Sequence, residues 1–202
     1  VKLSNGDEAR YSEKDKLLAA RMHKAITMIL FKLEGQKILR NPSFGMNDRL
    51  LLDKIDYEKG TVRIGDADYP MEDLDFPTVD PKDPYALTPE EDALITQLTR
   101  SFLYSQKLQR HVRFLYSKGS LYKVFNGNVL FHGCIPMTED GEFLKLSIGC
   151  KELSGKAFLD YADLTARRAY YSKPGSDERQ FGMDFLWWLW AGRNSPIFGR
   201  DR

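Results

Sequence analysis

Val129-Leu130-Phe131-His132-Gly133-Cys134-Ile135-Pro136 is the stretch on which the reading of this sequence turns. Three apolar β-formers run into a histidine, and a glycine follows at once. An uninterrupted apolar run of this kind reads as a strand of the buried, parallel type. Its last side chain then reaches the rim of a sheet, where a neutral imidazole is well presented to a metal ion. The glycine lets backbone turn close beside it. An ordinary hydrogen-bonded histidine is the competing reading of His132, since liganding groups are recognised only probabilistically.

On the N-terminal side, Leu121 to Phe125, then Asn126-Gly127, then Asn128 to His132 signals a hairpin, because Asn-Gly readily takes the positive φ values of a tight primed turn. Before it, Thr88-Pro89-Glu90-Glu91 starts a helix with an N-cap, a proline at the first position and a glutamate at the third. That helix runs through Leu94, Leu98 and Phe102, breaks near Ser105 and resumes through Leu108, Val112 and Leu115 to Gly119. A long amphipathic helix is expected from Ser12 to about Lys37, with Leu17, Leu18, Met22, Ile26, Ile29, Leu30 and Leu33 on its apolar face. Arg40-Asn41-Pro42 closes it, since the residue before proline is pushed out of the α region. His23 on this helix reads as a solvated or packing side chain.

Leu50 to Tyr57, Thr61 to Ile64 and Ala67 to Tyr69 form a small β unit, and the acidic run Met71 to Pro84 reads as a loop. Its aspartates read as turn and cap residues rather than metal ligands. On the C-terminal side, Glu139-Asp140-Gly141 turns into a strand from Phe143 to Ile148. Ser154 starts a helix to Tyr171, Lys173-Pro174-Gly175 breaks it, and a last helix runs from Asp177 to Trp190. Trp187, Trp188 and Trp190 read as core packing, with a sugar pocket as the rarer use.

The bulk numbers bound the class. The 202 residues are 42% hydrophobic and 12% aromatic, ample for a packed core. Thirty basic and 29 acidic residues give a net charge of +1, so no global field favours nucleic acid or an anionic membrane. No apolar run approaches the roughly 18 residues that span a bilayer. Cys134 and Cys150 are too few for a disulfide framework, and a cytoplasmic protein is expected. Cys134 reads as a small buried filler rather than a soft ligand. There is no Walker loop, dinucleotide-binding glycine fingerprint, zinc-finger spacing or nucleophile elbow. The opening at Val1 and the stop at Arg202 lead to the expectation of a piece of something longer.

The segment Gln109 to Pro136 closely resembles the class 3 fructose-1,6-bisphosphatases of bacteria. So do Phe31-Lys32-Leu33-Glu34-Gly35-Gln36, Leu50-Leu51-Leu52-Asp53-Lys54-Ile55, Asp80 to Glu91, and Trp190 to Gly199 with its Asn-Ser-Pro-Ile-Phe-Gly. The resemblance covers nearly the whole chain, in several blocks in the right order. It implies a calcineurin-like metallophosphoesterase: an α/β protein, α+β as seen in this piece, contributing to a four-layer sandwich. Residues 1–87 are then a helical and small-β insertion and 88–202 a portion of the catalytic domain. The implied reaction is hydrolysis of fructose 1,6-bisphosphate to fructose 6-phosphate, in gluconeogenesis, by attack of metal-bound hydroxide. The implied cofactor is a dinuclear manganese centre, with magnesium as the alternative, and His132 is a metal ligand. Asp184-Phe185-Leu186-Trp187 corresponds to a helix that follows the strand-His-Gly turn in the broader relatives.

Arginine suits bidentate phosphate contact, so Arg113, Lys118 and Arg193 are the leading substrate-binding candidates, with Arg110, Arg200 and Arg202 behind them. The family pattern also requires an Asp-x-His, a Gly-Asp-x-x-Asp-Arg, a Gly-Asn-His-Asp and a later Gly-His, and none occurs between Val1 and Arg202. One imidazole cannot hold two divalent ions, so the chain alone is expected to be inactive. A homo-oligomer is expected, with the sugar bisphosphate as ligand and neither nucleic acid nor membrane as partner. The alternatives are another phosphoesterase of the same fold, acting on phosphoproteins or dinucleotide polyphosphates, and a non-catalytic regulatory or oligomerisation module.

Overall fold

The computed structural model describes residues 11–149 and 151–198. Its helices are α1 (Glu13–Arg40), α2 (Pro89–Leu103), α3 (Gln106–Lys118), α4 (Gly155–Tyr171) and α5 (Asp177–Ala191). Its strands are β1 (Ile55–Asp56), β2 (Thr61–Ile64), β3 (Ala67–Pro70), β4 (Tyr122–Phe125), β5 (Asn128–Phe131), β6 (Leu146–Ile148) and β7 (Lys151–Leu153). The strands pair in three small sheets, β1-β2-β3, β4-β5 and β6-β7, and every ladder is antiparallel. Helices with separate antiparallel sheets make an α+β arrangement. The chain divides into two compact units, one of residues up to Lys37 with Asp48–Ile95, the other of Ile38–Asn47 with residues from Thr96 on.

In the first unit, Ser12 caps α1. Its Oγ accepts from the Asp15 N–H at 3.2 Å while Asp15 Oδ2 accepts from the Ser12 N–H at 3.2 Å, a capping box with aspartate in the glutamate's place. The start of α2 closes the same way: Glu91 Oε2 accepts from the Thr88 N–H at 2.9 Å, and Thr88 Oγ1 accepts from the Glu91 N–H at 3.3 Å. Lys32, fully buried on α1, donates to Glu91 Oε2 at 2.7 Å and to the Thr78 carbonyl. Burial alone would push the Glu91 carboxyl up; the Lys32 ammonium and the Thr88 N–H outweigh it and hold Glu91 below its ordinary value. The aspartates of the loop serve turns, Asp73 Oδ1 accepting from the Asp75 N–H and Asp80 Oδ1 from the Lys82 N–H.

Two expectations change here. Leu17, Leu18, Met22, Ile26 and Leu30 are exposed on α1, although they belong to its expected apolar face. Of that face Ile29 is buried, at 3% exposure, and with Ala25 and Met28 it lines a concavity shared with Phe76, Pro77 and Leu94. Leu50 to Lys54 are turns rather than strand, with Leu50 and Leu52 buried and Asp53 Oδ1 accepting from the Tyr85 hydroxyl at 2.5 Å.

The core of the second unit is the α4–α5 pair. Phe158, Ala162, Thr165 and Ala169 recur at helical spacing on α4 and are buried, as are Gly182, Phe185, Trp188 and Leu189 on α5. A Cβ built on Gly182 would lie 2.8 Å from the Ala169 backbone, so the two helices approach as closely there as only glycine permits. Phe44 tilts against Phe181, Phe185 and Trp188 with ring centroids 6.2, 6.5 and 6.3 Å apart. Asp184, buried on α5, accepts from Arg40 Nη2 at 3.0 Å, Asn41 Nδ2 at 3.0 Å and Gln180 Nε2 at 3.2 Å, which fixes the last turn of α1.

Within the tryptophan cluster Trp188 is 2% exposed but Trp190 is 71% exposed, which corrects the expectation that all three belong to the core. Trp188 sits four residues after Asp184 on the inward face, and two residues turn the helix through about 200°. The strand expected from Phe143 to Ile148 is shorter, β6 with Met137 bridged to Phe143, and it pairs with β7, a strand absent from the expected set.

Candidate active-site wall

His132 leaves the β4–β5 hairpin at its base. Asn126 (φ 49°) and Gly127 (φ 74°) make the tight turn, and the register Tyr122↔Phe131, Val124↔Val129 follows from it. The hairpin is thus as expected, but the buried parallel strand is not. β5 is antiparallel to β4, and Val129, Leu130 and Phe131 are 48%, 55% and 46% exposed. Two strands cover neither of their own faces, and no further strand pairs with them among the described residues.

The chain beyond His132 is gripped by the corner that follows α5. The Cys134 N–H donates to the Pro196 carbonyl at 3.0 Å. A Cβ on Gly133 would lie 2.4 Å from the Pro196 oxygen and 2.6 Å from the Ile197 oxygen, so this contact requires glycine. The corner itself is built by Ser195, fully buried, whose hydroxyl donates to the Leu189 carbonyl and accepts from the Ile197 N–H at 3.2 Å. Asn194 turns it with φ 60°.

The result is a cavity of about 220 Å³ into which His132 opens beside Ser120, Leu121, Phe131, Leu159, Pro196 and Ile197. The imidazole is exposed. Cys134, also on the wall, is half-buried with Sγ against the Ser195 carbonyl at 3.5 Å, and burial pushes its thiol up. A neutral imidazole nitrogen is a common metal donor. Among the described residues no three His, Cys, Asp or Glu side chains gather as a metal site, so this wall by itself is not a complete one.

The candidate cations are spread around it. Arg113 lines a separate open concavity with Leu103, Tyr104, Gln106, Gln109 and Arg110. Lys118 is exposed at the end of α3, two residues before Ser120 of the cavity. Arg193 is exposed in the turn after α5. Arg200, Arg202 and Cys150 lie outside the described residues.

A set of residues that the motifs did not single out holds the hairpin from the other side. Lys156, Asp160, Asp163 and Arg167 form one stripe of α4, opposite the stripe that packs on α5. Asp160 accepts from the Tyr122 hydroxyl at 2.7 Å and from Lys156 Nζ at 2.5 Å, and these bonds hold its carboxyl below its ordinary value. Arg167 donates through Nε to Asp163 Oδ2 at 2.6 Å, through Nη1 to the Tyr116 carbonyl and through Nη2 to the Gly119 carbonyl at 2.8 Å. The i,i+4 spacing of Asp163 and Arg167 was a legible pair; the distant carbonyls that the arginine also takes were not.

A family model described as Firmicute fructose-1,6-bisphosphatase matches residues 2–202. The chain belongs to this family. The class 3 fructose-1,6-bisphosphatase of Clostridium novyi is 55% identical over 92% of the chain and 28% of its own length. The relative from Clostridium tetani is 53% identical over 94% of the chain and 29% of its own length. The relative from Clostridium botulinum strain Alaska E43 is 50% identical over 100% of the chain and 30% of its own length. The chain therefore spans less than a third of the family members it matches. No solved structure matches it significantly. No helix among the described residues is long and apolar enough to cross a membrane.

Proposed function

We propose that this chain is an internal portion of a class 3 fructose-1,6-bisphosphatase, which hydrolyses fructose 1,6-bisphosphate to fructose 6-phosphate and phosphate. The observation that carries the reading is identity of 50–55% over 92–100% of the chain to relatives bearing that name. In this reading residues 88–202 contribute to the catalytic domain, a four-layer metallophosphoesterase sandwich, and residues 1–87 are its helical and small-β insertion. The apolar, uncovered β4–β5 hairpin suits a sheet that continues in the longer protein. Action in gluconeogenesis, residence in the cytoplasm and assembly as a homo-oligomer belong to the same proposal.

The substrate is a phosphate monoester that is already anionic and repels a nucleophile unless positive charge surrounds it. Dinuclear manganese, or magnesium in its place, supplies that charge and a nucleophile at neutral pH. His132 gives one nitrogen ligand, its imidazole presented by the hairpin base and the Ser195 corner. The other ligands come from outside the described residues, and the chain alone is inactive. Arg113, Lys118 and Arg193 are candidates to hold the phosphates of the sugar, as guanidinium and ammonium donors suited to phosphoryl oxygens. In the reaction the P–O bond at carbon 1 breaks, water adds to phosphorus, and the sugar oxygen leaves with a proton.

The test is manganese-dependent phosphate release from fructose 1,6-bisphosphate by the full-length protein beside its His132→Ala variant. Loss of at least a hundredfold in kcat with unchanged folding is the expected result. Full activity in the variant would remove His132 from the metal site. Turnover of phosphoproteins or dinucleotide polyphosphates, with none of the sugar bisphosphate, would overturn the substrate.

A further inference from the structure

A two-stranded hairpin is marginal by itself, and this one is exposed over its outer half, where Val124, Phe125, Val129 and Leu130 are 60%, 60%, 48% and 55% exposed. Its base is different. On the exit side, Gly133 and Cys134 are seated on Pro196 and Ile197. On the entry side, the stripe of α4 takes hold. The planar guanidinium of Arg167 bridges two carbonyls, Tyr116 at the end of α3 and Gly119 at its stop, while Asp163 accepts from its Nε. Three residues further, the Tyr122 hydroxyl reaches Asp160 on the same stripe. Tyr122 is the register partner of Phe131, the residue before His132. The backbone that carries His132 is therefore held at the base, between a grip on the exit and a grip on the entry.

We infer that Arg167 is a positioning residue for His132: by tying the Tyr116 and Gly119 carbonyls to α4 it fixes the entry strand, and through the β4–β5 register it fixes the side chain at the exit. The inference rests on the proposed role of His132 as a metal ligand. Only arginine offers a rigid fork that serves a carboxylate and two carbonyls at once; a lysine ammonium has a flexible stem and no such fork. Asp163 keeps the fork in plane, and Tyr122 with Asp160 repeats the hold one step nearer the histidine.

The test measures manganese binding in the full-length protein by competition with a chelator, alongside kcat, KM and thermal unfolding. The variants are His132→Ala, Arg167→Ala, Arg167→Lys, Tyr122→Phe, and, as a control, Arg168→Ala, an exposed neighbour on the same helix whose Nε pairs with Glu178 of α5 at 3.1 Å. Arg167→Ala should weaken manganese about tenfold, the lower end of what loss of a ligand's supporting contacts costs. It should lower kcat with KM for the sugar bisphosphate unchanged, and Arg167→Lys should not restore either. Tyr122→Phe, which loses a single hydroxyl, should move manganese affinity in the same direction by a smaller factor and decides the matter if Arg167→Ala fails to fold. Arg168→Ala, which loses only its exposed ion pair with Glu178, should leave manganese affinity, kcat and KM unchanged. Weakened manganese in His132→Ala with wild-type affinity in Arg167→Ala and Tyr122→Phe would overturn the positioning role and leave the ligand standing. Wild-type affinity in His132→Ala would remove the ligand reading, and this inference with it.

Discussion

The α4–α5 pair and the β4–β5 hairpin belong to the same unit and are both rich in aromatic and aliphatic side chains, yet one is closed and the other open. Phe158, Ala162, Phe185, Trp188 and Leu189 are each no more than 3% exposed, while no residue of β5 is buried. The difference lies in what the chain offers as a partner. Each helix finds a complementary apolar stripe within a few tens of residues, whereas the hairpin, held only at its base, leaves Val124, Phe125, Val129 and Leu130 exposed among the described residues. Apolar pattern marks the surfaces that want cover; it does not say whether the cover lies in the same segment.

The largest effect should therefore come from the closed region. Phe185 is fully buried, stacks on Trp188 at 5.4 Å and on Phe181 at 6.2 Å, and meets Tyr161 edge-on at 6.0 Å. Phe185→Ala should lower unfolding stability by about 3–5 kcal/mol, the cost of a large cavity in a packed core. Denaturant titration reads this directly, and a loss below about 1 kcal/mol would mean that the pair is as open as the hairpin.

A smaller effect should come from the closest approach in the same pair. Gly182→Ala places a methyl 2.8 Å from backbone atoms of Ala169, which cannot yield as a side-chain tip can. A cost of about 1–3 kcal/mol is expected from overpacking, against a gain of roughly 1 kcal/mol from alanine's better helix propensity. A net stabilisation would show that the helices have room to part, and the contrast with the hairpin would shrink.

Much of this was legible in the residues, and the parts that were not share a cause. The capping boxes at Ser12 and Thr88, the Asn126-Gly127 turn and the stop before Pro42 are local, decided within four or five positions, and they stand where the spacing put them. Burial is a matter of distant partners. Leu18, Met22 and Leu30 carry a clean helical spacing yet are exposed, and Trp190 is exposed beside a buried Trp188. Of the candidate site, His132 and Gly133 announced themselves through a strand ending on His-Gly. Arg167 gave no such sign, because its function there lies in carbonyls 48 and 51 residues away. A backbone oxygen leaves no trace in the sequence.

The smallest effect should come from the open region, and it separates two accounts of why that region is open. Leu130 is 55% exposed and pairs across the hairpin with Lys123. In the chain alone, Leu130→Ser should change stability by no more than about 0.5 kcal/mol, as surface substitutions away from special features do. If the hairpin is the edge of a sheet completed by the longer protein, the same substitution there removes a buried leucine and should cost about 2 kcal/mol or more. Measuring Leu130→Ser in both lengths of polypeptide turns the contrast into a difference between two numbers. Equal, small losses would leave the hairpin an exposed arm in the whole protein as well, and would take from His132 the sheet rim on which its presentation to a metal depends. A loss confined to the longer protein would place the cover in segments beyond this chain, and would make the exposed apolar strand a surface built to be met.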